Sequence, residues 1–215
     1  MTDLTIWTYD WVPNGPRGHV RDLRLRWALI EAGLPFTIRT VAFADRDKPD
    51  HLARQPFGQV PCLTDSGITL FESGACLLHL AEKSEALMPR DPQGRADTQQ
   101  WLIAGLNSVE MVTVPWWFIG LKNPPENPLE GWMQSRLSRL AMALSDRDWL
   151  AAGRFTVADI LMADVLRIPH KRGQLDAHPA LQAYVARALD RPAFQTALAD
   201  QMAHFAAADQ ARAQG

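Results

Sequence analysis

The sequence predicts a two-part chain: an α/β domain with the order β-α-β and then β-β-α, followed by an all-α helical domain. Two observations support this fold class. Short segments rich in β-branched and aromatic residues, typical of strands, are confined to the first part of the chain. Beyond residue 92, apolar residues recur at helical spacing instead. We therefore expect one domain over residues 1–82, a second over residues 92–205 and a frayed, Ala/Gln-rich tail over residues 206–215.

The composition is that of an ordinary globular protein, with 47% hydrophobic and 21% charged residues among 215. A net charge of −2 gives no general positive field, which argues against a nucleic-acid partner. Cys62 and Cys76 form no CxxC pair, so neither a zinc cluster nor a dithiol redox motif is expected. The sequence begins without a signal-peptide pattern and holds no run of 18 apolar residues, so we expect no membrane span and a cytoplasmic location.

The first half begins with a strand, a long loop and a helix. Residues 4–9 are β-branched or aromatic, and a Pro/Asn/Gly-rich loop occupies residues 10–18. The helix opens at Val20, because five apolar residues share one helical face: Val20, Leu23, Trp27, Ile30 and Leu34. Three arginines lie off that face: Arg21, Arg24 and Arg26.

The rest of the first half predicts a strand, a hairpin and a helix. Residues 36–42 alternate as a strand, and the polar residues 44–56 indicate a loop or a short irregular helix. Residues 60–64 and 68–71 flank the turn residues Asp65-Ser66-Gly67, which is typical of a β-hairpin. The next helix begins at Glu72-Ser73.

Helical patterns fill the second half. Residues 93–118 carry apolar residues on two stripes, which suggests burial both within the domain and against a partner. Pro115, followed by Trp116-Trp117, is expected to end or kink this helix. Thr156 and Asp159 have capping-box spacing and are expected to cap a core helix. Further helices are predicted over residues 129–147, 179–190 and 193–205.

Four motifs connect these elements to a known family. The element order, with Val60-Pro61 entering the third strand, matches a thioredoxin-like domain followed by a helical one. The motifs are residues 55–61 (Gln-Pro-Phe-Gly-Gln-Val-Pro), residues 70–75 (Leu-Phe-Glu-Ser-Gly-Ala), residues 156–160 (Thr-Val-Ala-Asp-Ile) and residues 191–194 (Arg-Pro-Ala-Phe). Each motif alone is weak, but all of them in the family's order and spacing are specific. Over nearly its whole length the chain resembles the soluble, cytosolic-type glutathione S-transferase family.

The resemblance implies a glutathione site in residues 1–82. In this family the proline that matches Pro61 follows a cis peptide bond, which presents the main chain of Val60 to the cysteinyl unit of glutathione, as an added strand does. Glu72 and Ser73 would bind the ammonium and carboxylate of the γ-glutamyl unit at the start of a helix. Gln59 would contact the glycyl end, whose carboxylate has His51 and Arg54 as further candidates. Without the resemblance, Pro61 begins a strand, Ser73 is a helix N-cap and Glu72 is a solvated acid.

The sequence departs from the family at the residue that activates the thiol. Most members carry Tyr, Ser or Cys at the end of the first strand or the start of the first helix, and residues 14–22 contain none of these. The chain therefore resembles an atypical, bacterial-like member. Arg21 and His19 are the catalytic candidates and Tyr9 is a third, since a thiolate needs a hydrogen-bond donor and positive potential. The alternatives are a salt-bridged surface role for Arg21 and an exposed loop position for His19.

The resemblance implies a transferase with glutathione as cosubstrate and without a metal. The glutathione thiolate would add to, or substitute on, a small apolar electrophile. Trp11, Trp116 and Trp117, with Phe118, would line the electrophile pocket, unless they serve a core or an interface. Because the family is usually homodimeric, the expected partners are glutathione, the electrophile and a second copy of the chain. The alternatives are another glutathione-dependent enzyme (a peroxidase, isomerase or dehalogenase) and a non-catalytic glutathione-binding or regulatory protein.

Overall fold

A mixed four-stranded sheet organises the first part of the chain in the computed structural model, which describes residues 3–122 and 124–214. The strands are β1 (Thr5–Tyr9), β2 (Thr37–Val41), β3 (Cys62–Asp65) and β4 (Ile68–Phe71), in the spatial order β2-β1-β3-β4. Strand β1 is parallel to β2 and antiparallel to β3, and β3 is antiparallel to β4. The predicted β-α-β and β-β-α order is confirmed.

Helices make up the remaining regular structure. Those among the strands are α1 (Asp22–Glu31), the short α2 (Pro49–Leu52), preceded by a 3₁₀ turn at Phe43–Asp45, and α3 (Ser73–Glu82). Those that follow are α4 (Pro92–Ala104), α5 (Met111–Gly120), α6 (Glu130–Ala143), α7 (Val157–Lys171), α8 (Pro179–Leu189) and α9 (Pro192–Gln214). The predicted helical second half is confirmed.

The chain divides into two compact units that do not follow the order of the sequence. The first unit combines residues 1–83 with residues 192–215, and the second unit comprises residues 84–191. The final helix α9 therefore packs with the strands and α1, whereas the sequence placed residues up to 205 in the second domain. Residues 206–214, expected to be frayed, continue α9 as a helix, and Gly215 lies outside the described residues.

Helix α1 is buried on all sides in the first unit, because it lies against α3 and also against α9. Arg24 and Arg26, which lie off the apolar face predicted from the sequence, are 2% and 1% exposed. Each is paired: Arg26 Nε donates to the buried Asp22 at 2.8 Å, and its Nη1 reaches Asp200 of α9. Trp27 also meets Phe194 of α9, edge to face, with the ring centres 4.8 Å apart. Pairing of this kind is what allows charged residues to be buried.

In the second unit, the long helix predicted from residue 93 consists of α4, a π-helical segment at Gly105–Glu110, and α5. Pro115 does not end it, because α5 continues to Gly120 with Val112 and Trp116 buried on either side of the proline. Gly105 marks a close approach to α7, since a Cβ atom there would lie 2.4 Å from Leu161 Cδ2.

By length and composition alone, the stretch Pro92–Gly120 is also apolar enough to cross a bilayer, with a mean hydropathy of 1.3. Buried core helices of soluble proteins meet the same criterion, and 39% of this stretch's most apolar window is buried within the protein. The absence of a membrane span therefore stays a prediction.

The capping box predicted at the start of α7 is confirmed. Asp159 Oδ2 accepts from the main-chain N–H and the hydroxyl of Thr156, at 2.9 and 3.1 Å. Its Oδ1 accepts from the N–H of Leu150 and the hydroxyl of Tyr184, both at 3.0 Å. All four groups donate to the carboxylate, and they lie on the loop before α7, at the start of α7 and on α8. Asp159 therefore joins these elements in the core of the second unit.

Candidate glutathione site

The residues assigned to glutathione lie at one end of the sheet. Cys62 of β3 pairs with Phe71 of β4, so Val60-Pro61, just before β3, lies beside Glu72-Ser73, just after β4. Trp7 of β1 also pairs with Cys62, which puts the end of β1 and the loop that follows it at the same edge. The structure therefore brings both binding motifs together with the segment that carries the activator candidates.

The main chain at Val60 is open to a ligand. The Val60–Pro61 peptide bond is cis, as the resemblance implied. Within residues 3–122 and 124–214, neither the N–H nor the C=O of Val60 has a hydrogen-bond partner. An extended peptide can therefore pair with Val60 as a further strand would. The side chain of Gln59 is exposed at the same point.

His51 holds the main chain of this segment in place. Its ring is buried, and Nε2 donates to the carbonyl oxygen of Gln59 at 2.9 Å. Because a carbonyl oxygen can only accept, Nε2 carries the proton of this bond. His51 is thus committed to the main chain at Gln59, whereas the resemblance made it a candidate for the glycyl carboxylate.

Arg54, the other candidate for that carboxylate, stacks on an indole. Its guanidinium carbon lies 4.0 Å from the centre of the Trp7 ring, and Arg39 lies over the same ring at 5.7 Å. Its Nε is buried without a partner among the described residues. Stacking orients the guanidinium, and the half-buried side chain keeps donors for a ligand.

Glu72 and Ser73 begin α3 in an unusual backbone geometry. Glu72 has a φ of 65° and a ψ of 120°, a conformation that residues with side chains rarely adopt and that is often found at ligand sites. It occupies the N-cap position, without a capping bond from its side chain. Ser73 is therefore the first residue of the helix, which differs from the capping role that the sequence left open for it.

Arg24 is a residue of the candidate site that sequence reasoning missed. Its Nη1 donates to the Ser73 hydroxyl oxygen at 3.1 Å, and both side chains are buried. Since this oxygen accepts from Arg24, the Ser73 hydroxyl hydrogen is left for another acceptor, such as a ligand carboxylate. The sequence carries no local signal for this pair, because 49 residues separate its members.

Arg21 and His19 lie where the loop from β1 enters α1. Arg21 directly precedes the helix, with a backbone that is already helical, and both side chains are half-buried. Asp22 follows, fully buried, and accepts from Gln201 at 2.6 Å as well as from Arg26. Burial raises the pKa of Asp22, an effect opposed by the charge and hydrogen bond of Arg26.

Tyr9 uses its hydroxyl for structure. The hydroxyl donates to the carbonyl oxygen of Gly58 at 3.1 Å, and burial raises the pKa of the phenol, so it is protonated at neutral pH. Gly58 has a φ of 63°, and a Cβ atom there would approach the Arg46 carbonyl oxygen to 3.1 Å. Tyr9 therefore secures a turn that requires glycine, one residue before Gln59.

Both cysteines are buried, and their thiols are protonated. Burial raises the pKa of Cys62 to about 11 and that of Cys76 to about 12. Neither thiol is therefore activated as a nucleophile at neutral pH. Across residues 3–122 and 124–214, no group of three or more His, Cys, Asp or Glu side chains is arranged to hold a metal ion.

The tryptophans expected around an electrophile are divided between the two units. Trp11, in the first unit, donates its indole N–H to Asp209 at 2.7 Å. Trp116 and Trp117, in the second unit, line a cavity of about 350 Å³. Its other lining residues are Gly120, Pro124, Asn127, Glu130, Arg172 and Gln174. Trp116 is held by Glu130, which accepts its indole N–H at 2.6 Å, while Phe118 is exposed.

Comparisons with known proteins agree with this architecture. The family models of the glutathione S-transferase N-terminal and C-terminal domains match residues 15–82 and 129–192. A rice protein, "Probable glutathione S-transferase GSTF2" of Oryza sativa subsp. japonica, is 31% identical over 185 residues. The match spans 78% of this chain and 86% of the rice protein.

Two solved structures share the fold at lower identity. A glutathione transferase family member from Pseudomonas fluorescens, crystallised with two glutathione bound, matches with a TM-score of 0.78 and 24% identity, over 91% of this chain and 92% of that one. The nitrogen regulation fragment of the yeast prion protein Ure2p matches with a TM-score of 0.76 and 17% identity, over 91% and 96%. With its domain matches, its rice relative and its cis Val60–Pro61 bond, the chain belongs to the glutathione S-transferase family.

Proposed function

We propose that this protein is a glutathione transferase that joins the glutathione thiolate to a small apolar electrophile. The observation that carries the proposal is the unpaired main chain of Val60 lying next to the Ser73 hydroxyl that Arg24 holds. The main chain of Val60 can form two hydrogen bonds with a peptide, and the Ser73 hydroxyl can donate to a carboxylate. A helix cap or a strand-initiating proline requires neither.

Each part of glutathione has an assigned partner in this proposal. The cysteinyl unit pairs with the main chain of Val60 at the cis Pro61, and the γ-glutamyl carboxylate accepts from Ser73. Glu72 accepts from the γ-glutamyl ammonium. Gln59 and Arg54 bind the glycyl end, and His51 acts indirectly by holding the Gln59 carbonyl.

Arg21 stabilises the thiolate in this proposal, together with the N-terminus of α1. A positive charge near a thiol favours the ionised form and lowers its pKa from about 8.5. His19, two residues earlier, is the alternative activator, acting as a general base. Tyr9 is a weaker candidate than either, because its hydroxyl already donates to Gly58.

For the electrophile we propose the tryptophan-lined cavity of the second unit. Its volume of about 350 Å³ falls within the usual range for small-molecule sites, and Trp117 offers a half-buried aromatic surface to an apolar ring. Trp11, which belongs to the first unit, does not line this cavity and instead donates its indole N–H to Asp209.

We further propose that the protein is a homodimer of the cytoplasm. Large apolar side chains are exposed on both units, among them Phe57 and Phe71 of the first and Ile103 and Met111 of the second. The ring centres of Phe57 and Phe71 lie 6.2 Å apart. Covering such side chains stabilises association. Light scattering coupled to gel filtration gives the mass directly, and a monomeric mass would contradict this part of the proposal.

Titration calorimetry with glutathione tests the proposal, followed by turnover with halo-aromatic, epoxide and peroxide substrates. We expect binding in the micromolar to millimolar range and a rise in melting temperature, because a ligand of the folded state stabilises it. Conjugation of a halo-aromatic or epoxide substrate supports transfer, whereas activity with peroxide alone identifies a glutathione-dependent peroxidase. No heat of binding and no thermal shift at millimolar glutathione contradict the proposal.

One observation favours a second candidate, a glutathione-binding protein without catalysis. Residues 14–22 contain no Tyr, Ser or Cys, and the nearby Tyr9 donates its hydroxyl to Gly58. A regulatory role of this kind needs the binding contacts but not the activated thiol. Binding of glutathione with an unchanged thiol pKa and no turnover on any substrate class would favour this candidate.

A further inference from the structure

The loop between β1 and α1, residues 10–21, carries both activator candidates and is built from turns, such as the one closed by the His19 N–H and the Pro16 carbonyl oxygen at 2.9 Å. Arg17 closes part of it, because its Nε and Nη2 donate to the carbonyl oxygen of Val12 at 3.1 and 2.9 Å. Fixing the backbone of each loop residue costs conformational entropy, which must be offset by contacts. Contacts from elsewhere in the chain therefore help to hold this loop in one conformation.

The C-terminal part of α9 supplies such contacts through Asp209. Its Oδ1 accepts from Trp11 Nε1 and from Arg17 Nη2, both at 2.7 Å, while its Oδ2 accepts from Arg17 Nη1. Arg212, one turn further along, lies 4.4 Å from the centre of the Trp11 ring. A two-pronged guanidinium–carboxylate pair fixes orientation as well as distance. Asp209 thus joins two loop residues to the helix.

Two further residues of α9 hold both ends of the loop. Gln201 Nε2 donates to the Val20 carbonyl oxygen at 3.0 Å and to Asp22, at the start of α1. His204 Nε2 donates to the carbonyl oxygen of Tyr9 at 3.0 Å. Gln201, His204 and Asp209 thus contact the loop at its end, its beginning and its middle.

We propose that α9 positions the thiol-activating segment, with Asp209 as a positioning residue that holds the loop through Arg17 and Trp11. The inference rests on the proposed function, since it concerns the same glutathione site. Asp209 does not contact the thiol in this proposal. Its loss loosens the loop at Trp11 and Arg17, ahead of His19 and Arg21, while Val60 and Ser73, which belong to the hairpin and α3, keep their places.

The variant Asp209→Asn tests this inference, because it removes the charge and keeps the size. The pKa of enzyme-bound glutathione, followed by the ultraviolet absorbance of its thiolate, should rise by about one unit towards that of the free thiol. Affinity for S-methylglutathione, which has no thiol, should change by less than about twofold. Asp209→Glu should restore part of the shift. Asp146→Asn, which removes an exposed carboxylate in the second unit, is the matched control and should behave as wild type.

The outcomes separate this inference from the proposed function. A wild-type protein that binds no glutathione, or binds it with an unshifted thiol pKa, contradicts the proposed function and this inference together. If the wild-type protein lowers the thiol pKa and Asp209→Asn lowers it equally, this inference alone is overturned. That holds even if the variant has a lower melting temperature. Should Asp209→Asn fail to fold, Trp11→Phe, which removes the indole N–H donor to Asp209 and keeps an aromatic ring, must also raise the thiol pKa.

Discussion

Arg24 and Ser73 are joined by a buried hydrogen bond, in which Nη1 of the arginine donates to the serine hydroxyl oxygen at 3.1 Å. The arginine lies on α1 and the serine begins α3, so the bond couples two helices that pack side by side. Because the hydroxyl oxygen accepts from Arg24 on one side, its hydrogen is directed towards an acceptor other than Arg24. The serine hydroxyl is thereby oriented before any ligand arrives.

Replacing Ser73 by alanine should weaken glutathione binding by about 1.5–3 kcal/mol, the range for a hydrogen bond to a charged group. Calorimetric titration of the variant measures this loss directly. Ser138→Ala, on an exposed face of α6, is the matched control and should bind as wild type. A variant that loses about 1 kcal/mol of unfolding free energy and keeps its affinity would show that Ser73 serves the helix alone.

Replacing Arg21 by alanine should move the rising limb of the pH profile of kcat/KM to higher pH. The reason is that the variant loses a positive charge that favours the thiolate, and a shift of about one unit corresponds to roughly 1.4 kcal/mol. Glutathione affinity at low pH should change little. Arg21→Lys should retain much of the effect, and Arg139→Ala, exposed on α6, serves as the control.

His19→Ala distinguishes the two activator candidates. Loss of a general base should lower the plateau of the profile and remove a limb near pH 6–7, the range in which histidine titrates. Loss of a residue that is not an activator should leave the limb and the plateau unchanged. An unchanged profile for Arg21→Ala together with a lowered plateau for His19→Ala would assign activation to His19.

Replacing Tyr9 by phenylalanine should leave kcat/KM within about twofold of wild type and lower the unfolding free energy by about 1 kcal/mol. The hydroxyl is committed to the Gly58 carbonyl oxygen, which loses its donor in the variant. Denaturant unfolding and initial rates measure the two quantities. Tyr184→Phe removes the chain's other tyrosine hydroxyl, from the second-unit core, and should lower stability without changing activity. Turnover abolished by Tyr9→Phe would instead identify Tyr9 as the activator.

Asp159 should contribute to stability in a way that falls with rising pH. Burial raises its pKa to about 6 in the folded protein, despite the hydrogen bonds from Leu150, Thr156 and Tyr184, against 3.8 without such burial. Between these two values the folded state holds a proton that the unfolded chain has lost, so this contribution is largest below pH 4 and levels off above pH 6.

Unfolding free energies of wild type and Asp159→Asn, measured between pH 4 and pH 7, test this expectation. The advantage of wild type over the variant should shrink by up to about 3 kcal/mol across that range. The variant should also be less stable at every pH, because an amide cannot accept from all four donors. A difference that does not depend on pH would mean that Asp159 keeps an ordinary pKa. Asp146→Asn should show no such slope.

Local chemistry made part of this structure predictable. The hairpin turn follows from Ser66 and Gly67, which both adopt positive φ, at 49° and 87°. The start of α7 could be predicted from Thr156 and Asp159, whose separation of three residues is that of a capping box. In both cases the partners are close in sequence, so a pattern within a few residues contains the whole interaction.

Interactions between distant residues were not predictable from the pattern. Arg24 and Arg26 lie off the apolar face of α1, and their burial depends on Ser73 and Asp200, which the periodicity of α1 does not encode. Asp209 meets Arg17 across 192 residues, and this pair explains why the expected frayed tail is helical. Pro115 remains within a helix because burial on both sides of it outweighs the main-chain bond that it cannot make.

The discontinuous first unit has a consequence for synthesis on the ribosome. Its strands and first helices emerge by Lys83, but α9 emerges only after residues 84–191 have been translated. At roughly 5–20 residues per second, the delay is about 5–20 s. Throughout that interval the nascent chain carries an α1 whose future α9 face is still open to solvent and to chaperones. A helix made after the second unit thus completes the unit that was begun before it.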